Sequence, residues 1–308
     1  MNTYYIGEII RQKRIEKGLT QEVLSEGICE HSTLSRIETG RQTPSKTVLN
    51  CLLEKLDLPS ERYYAFVDEH DMEIENLKTE ITACTVTSKH EQGLKELAKL
   101  EKLVDKNDNI NNQFILRAKA LLGKIEDNHV VPYTNEEELN LLLQAIRLTV
   151  PRFDIEEINS CLYCIEEIKI INQIAITYER KGKRRTAIEI WHQLIKYIKK
   201  NYHLAIQNKS VMALVSYNYS RSLYLEKRYE EALEIAELGK HAAIDYGQYR
   251  HLPGIYSVMA EIYYELGNYD LSKEKYYESY YIFKGTGNIK QANIVKADAK
   301  KNLNIDFD

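Results

Sequence analysis

Side chains able to read or grip a polynucleotide crowd one short stretch of the chain. Gln21, His31, Ser32, Thr33, Ser35, Arg36, Arg41 and Lys46 all fall within it. Arg36 can pair with guanine edges or phosphate, His31, Ser32 and Thr33 can reach base edges, and Gln21 can hold a phosphate through its amide and backbone N–H. Arg41 and Lys46 suit backbone phosphates. Leu34 and Ile37 give the same stretch an apolar edge, so that the polar residues, Ser35 included, face mostly outward. Each polar residue alone also fits a small helical bundle with solvated side chains; it is the ordered set that points to nucleic acid.

A second chemistry is offered by Asn172 and Asn218. An asparagine presents a donor and an acceptor to one peptide unit, which suits an extended peptide backbone. Asn172 lies ten residues before Gly182 and Asn218 nine before Lys227, comparable places in successive units. A helical asparagine also serves as a solvated or capping residue, and both readings stand on the residues alone. Most of the 23 tyrosines are expected to pack with a hydrogen-bonded hydroxyl; Tyr256 and Tyr276 are candidates to line a groove.

Catalytic constellations are missing. The sequence holds no phosphate-binding loop, dinucleotide glycine motif or H-E-x-x-H, and no enzyme, cofactor or metal is expected. Cys161-Leu162-Tyr163-Cys164 could be a redox pair or half a zinc site, but no second pair or βαβ context accompanies it. Two core thiols are the simpler account, with thiol sensing left open. His192, beside Trp191, is read as packing.

The elements that must position these residues follow from patterning. The 308 residues carry 44% hydrophobic and 29% charged side chains and a formal charge of -4, so any nucleic-acid contact must be a local patch. Five cysteines, an odd number without framework spacing, fit free thiols in a reducing compartment. No apolar run approaches the roughly 20 residues that cross a bilayer, and a cytoplasmic protein without a membrane partner is expected. In the first 66 residues, apolar side chains recur in short helical bursts. Gly18 and Gly40 stop helices, and Thr20 and Ser45 start them. The first helix of the central pair would run Gln21 to Ile28 and the second His31 to Thr39, with Arg14 and Glu38 tying helix one to the end of helix three. This unit is expected to end near Pro59 to Val67.

Beyond it the pattern becomes long amphipathic helices without strand alternation, broken at 105–109, 127–135 and 149–154. Three stretches, 177–189, 223–234 and 262–274, share an aromatic, a turn and a small residue five positions later: Gly182 to Ala187, Lys227 to Ala232, Gly267 to Ser272. Such phasing resembles the tetratricopeptide repeat, in lengthened copies, where small residues let paired helices approach and stacked pairs form a concave groove. Residues 288–305 would make a polar-faced capping helix.

The order Arg14, Gly18-Leu19-Thr20-Gln21, Leu24, Ser35-Arg36-Ile37-Glu38, Gly40 and Pro44-Ser45 resembles the Cro/repressor-like helix-turn-helix family. Residues 18–40 followed by a repeat region further resemble the PlcR-type transcriptional regulators, within the peptide-pheromone receptors of Gram-positive bacteria. The resemblance implies a homodimer on palindromic double-stranded DNA, an activator, controlled by a short signalling peptide in the repeat groove. By the same resemblance Asn172 and Asn218 match asparagines of that groove, and Tyr276 an aromatic. The expected architecture is all-α: a five-helix helix-turn-helix domain over 1–66, a linker helix over 67–84, and a repeat domain for peptide sensing and dimerisation over 85–308. The alternatives are a peptide-independent dimeric repressor and a repeat protein that sequesters a protein partner.

Overall fold

The computed structural model describes residues 6–58, 69–127, 129–201, 211–247 and 249–307. The fold is all-α with one small β-ribbon among the described residues. Four helices, α1 (Ile6–Glu16), α2 (Gln21–Ser25), α3 (His31–Glu38) and α4 (Lys46–Lys55), come first. The expected end of this bundle, and the place of a fifth helix, fall on residues 59–68, outside the described residues. Then follow α5 (Glu69–Val86), α6 (His90–Leu103), α7 (Asn109–Leu122), strands β1 (Lys124–Glu126) and β2 (His129–Val131), α8 (Asn135–Thr149) and α9 (Ile165–Arg180). The remaining helices are α10 (Arg184–Asn201), α11 (Val211–Leu225), α12 (Tyr229–Asp245), α13 (Leu252–Glu265), α14 (Tyr269–Gly285) and α15 (Ile289–Leu303). No described helix is long and apolar enough to cross a membrane. The chain forms two compact units, Met1–Gly182 and Lys183–Asp308.

In the first unit, Ile10, Leu24, Leu34, Ile37, Leu49, Leu52, Leu53 and Leu56 make the core of the four-helix bundle. Helix α1 lies so close to α3 that a Cβ on Gly7 would sit 1.9 Å from the Ile37 carbonyl oxygen. The segment expected as a linker is α5. It packs on α6 and α7 and contributes Ile74, Leu77 and Ile81 to a core with Leu97, Leu100 and Phe114. The β-ribbon replaces the loop expected after residue 127: β1 and β2 pair antiparallel with Lys124 opposite Val131 and Glu126 opposite His129. Strands of three residues are too short to show alternation, and Gly123 and Asp127, both at positive φ, bend the chain into place. Thr134 and Glu137 then start α8 with a reciprocal capping box.

In the second unit each helix packs on its successor from α10 to α15. The repeated small residues do what their spacing implies. Ala187, Ala232 and Ser272 are fully buried, each five positions after a residue in the left-handed region: Gly182 at φ +76°, Lys227 at +60° and Gly267 at +77°. A further copy, Gly287 at φ +77° followed by Ala292, opens α15. Buried hydroxyls stitch α14 to α13, Ser272 donating to the Ala260 carbonyl and Ser279 to that of Pro253, each at 2.7 Å. The capping helix α15 ends on Asn304 in the left-handed region, after which Ile305 and Phe307 turn back onto Tyr276, Tyr280 and Val295.

Lys227 occupies a backbone conformation that glycine adopts without steric cost. Lys227→Gly is therefore expected to stabilise the protein by about 1 kcal/mol, read as a higher thermal midpoint with unchanged circular dichroism.

Candidate nucleic-acid interface and repeat groove

The helix-turn-helix is assembled around one carboxylate. Glu38, 4% exposed, receives Arg14 Nε at 2.6 Å on one oxygen and Arg14 Nη2 at 2.8 Å on the other. Gln21 Nε2 donates to the second oxygen at 2.6 Å. The third guanidinium branch, Arg14 Nη1, donates to the Leu19 carbonyl at 2.8 Å. Helices α1, α2 and α3 thus share a fork-to-fork pair, and the hydrogen bonds to Glu38 hold Arg14 above the ordinary guanidinium range. Gln21, expected to grip phosphate by its amide, instead spends an amide N–H on Glu38. Its backbone N–H remains at the start of α2, where Thr20 Oγ1 accepts from Val23 N–H at 3.2 Å.

Helix α2 is shorter than expected, stopping at Ser25. Gly27 takes φ +73°, and a Cβ there would lie 1.9 Å from the Thr149 carbonyl oxygen, so the turn to α3 is pressed against α8. Helix α3 begins at His31 and ends in a six-residue closure in which Gly40 N–H reaches Ile37 O and Arg41 N–H reaches Arg36 O. Leu34 and Ile37 are fully buried. His31, Ser32, Arg36, Arg41 and Lys46 are exposed, while Thr33 and Ser35 are half-buried. His31 Nε2 lies 3.3 Å from Glu22, and Arg36 donates to Thr33 Oγ1 at 3.3 Å. The exposed side of α3, the turn after it and the start of α4, capped by Ser45, therefore hold His31, Ser32, Arg36, Arg41 and Lys46.

The proposed groove residues fare differently. Asn172, on α9 in the first unit, is 3% exposed. Asn218, on α11 in the second unit, is half-buried and donates to the Leu214 carbonyl at 3.1 Å. Tyr276 is fully enclosed in the α13–α15 core and its hydroxyl accepts from Asn302 at 2.8 Å. Tyr256, 9% exposed, packs in the α11–α13 core with Lys275 over its ring. Both tyrosines occupy packing places, because α13 and α15 close over Tyr276 of α14, and α11 and α12 over Tyr256 of α13.

Sequence reasoning missed the charged face of α11, α13 and α15. Glu261 on α13 stands among Asp298 and Lys301 of α15, Arg221 of α11 and Glu265, and burial with the Asp298 charge pushes its carboxyl up to about 7. Tyr217 and Tyr224 of α11 feel the same carboxylate. It also missed a cleft of about 480 Å³ between α10, α11 and α12, with Tyr219 and Leu223 beneath and Lys196 and Lys199 on its rim. His192, read as packing, stands exposed there with Nδ1 3.4 Å from the Tyr219 hydroxyl. In the first unit Glu138, 4% exposed, gathers Gln173, Thr177 and Arg180 of α9 at 2.8, 3.1 and 2.5 Å. None of these groupings has a local sequence signal, since the partners of Glu138 lie 35 to 42 positions away and Tyr219 lies 27 positions from His192.

All five cysteines are free. Cys161 is half-buried and points to the Arg152 carbonyl, whereas Cys164 is buried at the start of α9, where its hydrogen bond with Cys51 and burial raise its thiol far above the ordinary range. A thiol so protected is a poor nucleophile, which agrees with core packing for Cys164. No group of three or more metal-ligating side chains occurs among the described residues.

The RNPP family C-terminal domain matches residues 78–303 and a helix-turn-helix domain matches residues 10–62. The chain belongs to the RNPP family. Among solved structures it is similar to Bacillus thuringiensis PlcR in complex with the peptide PapR7 and DNA, at 20% identity and TM-score 0.59 over 94% of this chain and 98% of that one. The apo form of the same protein gives 19% identity and TM-score 0.57, covering 94% and 97%. The Streptococcus dysgalactiae SHP pheromone receptor Rgg2(C45S) gives 19% and 0.47, covering 97% and 100%. A comparison with curated proteins gives no match.

Two outcomes follow. Arg14→Ala leaves a buried carboxylate without its cation and should cost about 3 kcal/mol of stability, seen as a lower denaturation midpoint, whereas Gln21→Ala should cost less. For Glu261 the folded carboxyl titrates near 7 against an ordinary value of 4.5, so the folded chain holds the proton more tightly. Its contribution is fully present below about pH 4.5 and is lost as pH rises through 7. Glu261→Gln should flatten that part of the fall in thermal midpoint between pH 5 and 7.5.

Proposed function

We propose that the protein is a sequence-specific DNA-binding transcription regulator, acting as a homodimer and an activator, whose DNA binding is controlled by a short signalling peptide in the groove of its repeats. The observation that carries this reading is the exposed set His31, Ser32 and Arg36 on a helix fixed from behind by Leu34, Ile37 and Glu38, with Arg41 in the turn after it and Lys46 at the start of α4, in a chain whose residues 78–303 match an RNPP C-terminal domain. Similarity in fold to a protein solved with a peptide and DNA supports the same assignment. Arg36 and the residues at the start of α3 read bases; Arg41, Lys46 and the backbone N–H of Gln21 hold phosphates. Asn172 and Asn218 hold the peptide backbone. Residues 1–66 form the DNA-binding domain and the helices beyond it the sensing and dimerising part. Control is a population shift: peptide favours one arrangement of the repeats, which sets the separation of two α3 helices to match half-sites about one helical turn apart or a multiple of it.

Selection of duplexes from a random pool, followed by titration of variants at fixed salt, tests the reading. Arg36→Ala should weaken the selected duplex by about tenfold to a hundredfold while leaving unrelated DNA unchanged. Lys46→Ala should weaken all duplexes alike and reduce the salt slope by about one ion. Equal loss on all sequences for Arg36→Ala would remove it from base readout. Asn218→Ala should abolish the peptide response with DNA binding intact; an unaltered response would exclude Asn218 from the ligand site.

A further inference from the structure

Within the first unit the helix-turn-helix bundle is joined to the repeats by a chain of polar contacts, buried at Glu54, Lys55 and Glu167 and exposed at Arg152, that neither activity requires. Glu54, on the last turn of α4 and 9% exposed, accepts the backbone N–H of Ile165 at 2.9 Å. Ile165 is the first residue of α9, so a side chain of the DNA-binding bundle satisfies one of the unpaired amides at that helix start and sets its negative charge against the helix dipole. The adjacent amide, Cys164 N–H, donates to Glu167 at 2.5 Å. Glu167, 1% exposed, also accepts from Thr149 Oγ1 at 2.5 Å, and burial raises its carboxyl while the neighbouring Lys55 ammonium draws it down. Lys55, 6% exposed, donates to the Glu26 carbonyl at 3.2 Å. Arg152, after α8, pairs with Glu26 at 2.6 Å. The α2–α3 turn is seated against Thr149 by Gly27.

These contacts converge on the two ends that a regulator must connect. One end is the turn that orients α3; the other is the first turn of α9, two helical turns before Asn172. A helix is stiff over that distance, and a buried charge-assisted cap breaks rather than stretches. We propose that Glu54 is the positioning residue that couples α9 to the DNA-binding bundle, so that a change in α9 on ligand binding is passed to α3 and a change in α3 on DNA binding is passed back to α9. Coupling of this kind is reciprocal, and it therefore has a readout that needs no peptide. The proposal rests on the DNA-binding function put forward above.

The experiment is amide hydrogen exchange, by mass spectrometry, of the full chain free and saturated with a duplex that the wild-type protein selects from a random pool. In the wild type, DNA should change exchange in the segment 165–172 by at least threefold. Glu54→Ala should erase that change, with DNA still bound. Ile165→Pro, which removes the same hydrogen bond from the donor side at a helix position that accepts proline, should do the same. Glu54→Gln, which keeps an acceptor oxygen, should retain it. An equal DNA-dependent change in wild type and Glu54→Ala, or bound DNA with unchanged exchange in α9 of the wild type, would overturn the coupling alone. Failure of the wild type to select any duplex would overturn the DNA-binding reading beneath it.

Discussion

Everything outward-facing on α3 depends on a carboxylate that faces inward. Glu38 is buried among three helices and would be costly there without Arg14 and Gln21. With both in place, α1, α2 and α3 cannot rotate independently, and the polar residues of α3 are presented at fixed angles. A short, sharply stopped helix is thereby made rigid enough to be read against DNA, although its own eight residues would not hold a helix in water.

The same device recurs further along the first unit. Glu54 accepts from the start of α9, Glu167 joins α8 to α9, Glu138 gathers three residues of α9, and Glu166 pairs with Arg117 of α7 at 2.7 Å. For Glu166, burial acts upward, yet Arg117 and Lys169 hold its carboxyl down at about 2. The second unit is built otherwise. There small residues and buried serine hydroxyls let helices approach, and one group of charged side chains gathers where α11, α13 and α15 meet. Interfaces closed by directional buried charge have few alternative packings, whereas small-residue contacts permit sliding.

What the sequence made legible was local. Glycines at positive φ, serine and threonine caps and the small residues five places after a turn obey short-range steric and hydrogen-bonding rules, and they located the helix ends and the repeats. The Arg14–Glu38 pair was also within reach, because its ordered setting resembles a known domain. The length of α2 was not, since Gly27 is shaped by Thr149, more than a hundred positions away. The carboxylate joints and the Glu261 cluster escaped for the same reason. Tyr256 and Tyr276 have the chemistry of a groove and also that of a core: Tyr276 of α14 is enclosed by α13 and α15, and Tyr256 of α13 packs against α11 and α12.

Whether a ligand-responsive chain sets its own affinity for DNA is measured most directly by fluorescence anisotropy. A labelled duplex selected by the protein would be titrated at constant salt, alone and with synthetic peptides encoded beside the gene. A shift of tenfold or more in Kd with one of those peptides, abolished by Asn218→Ala, is the expected result. Identical Kd values with every peptide, at each salt concentration tried, would contradict peptide control and leave a DNA-binding protein whose repeats serve another end.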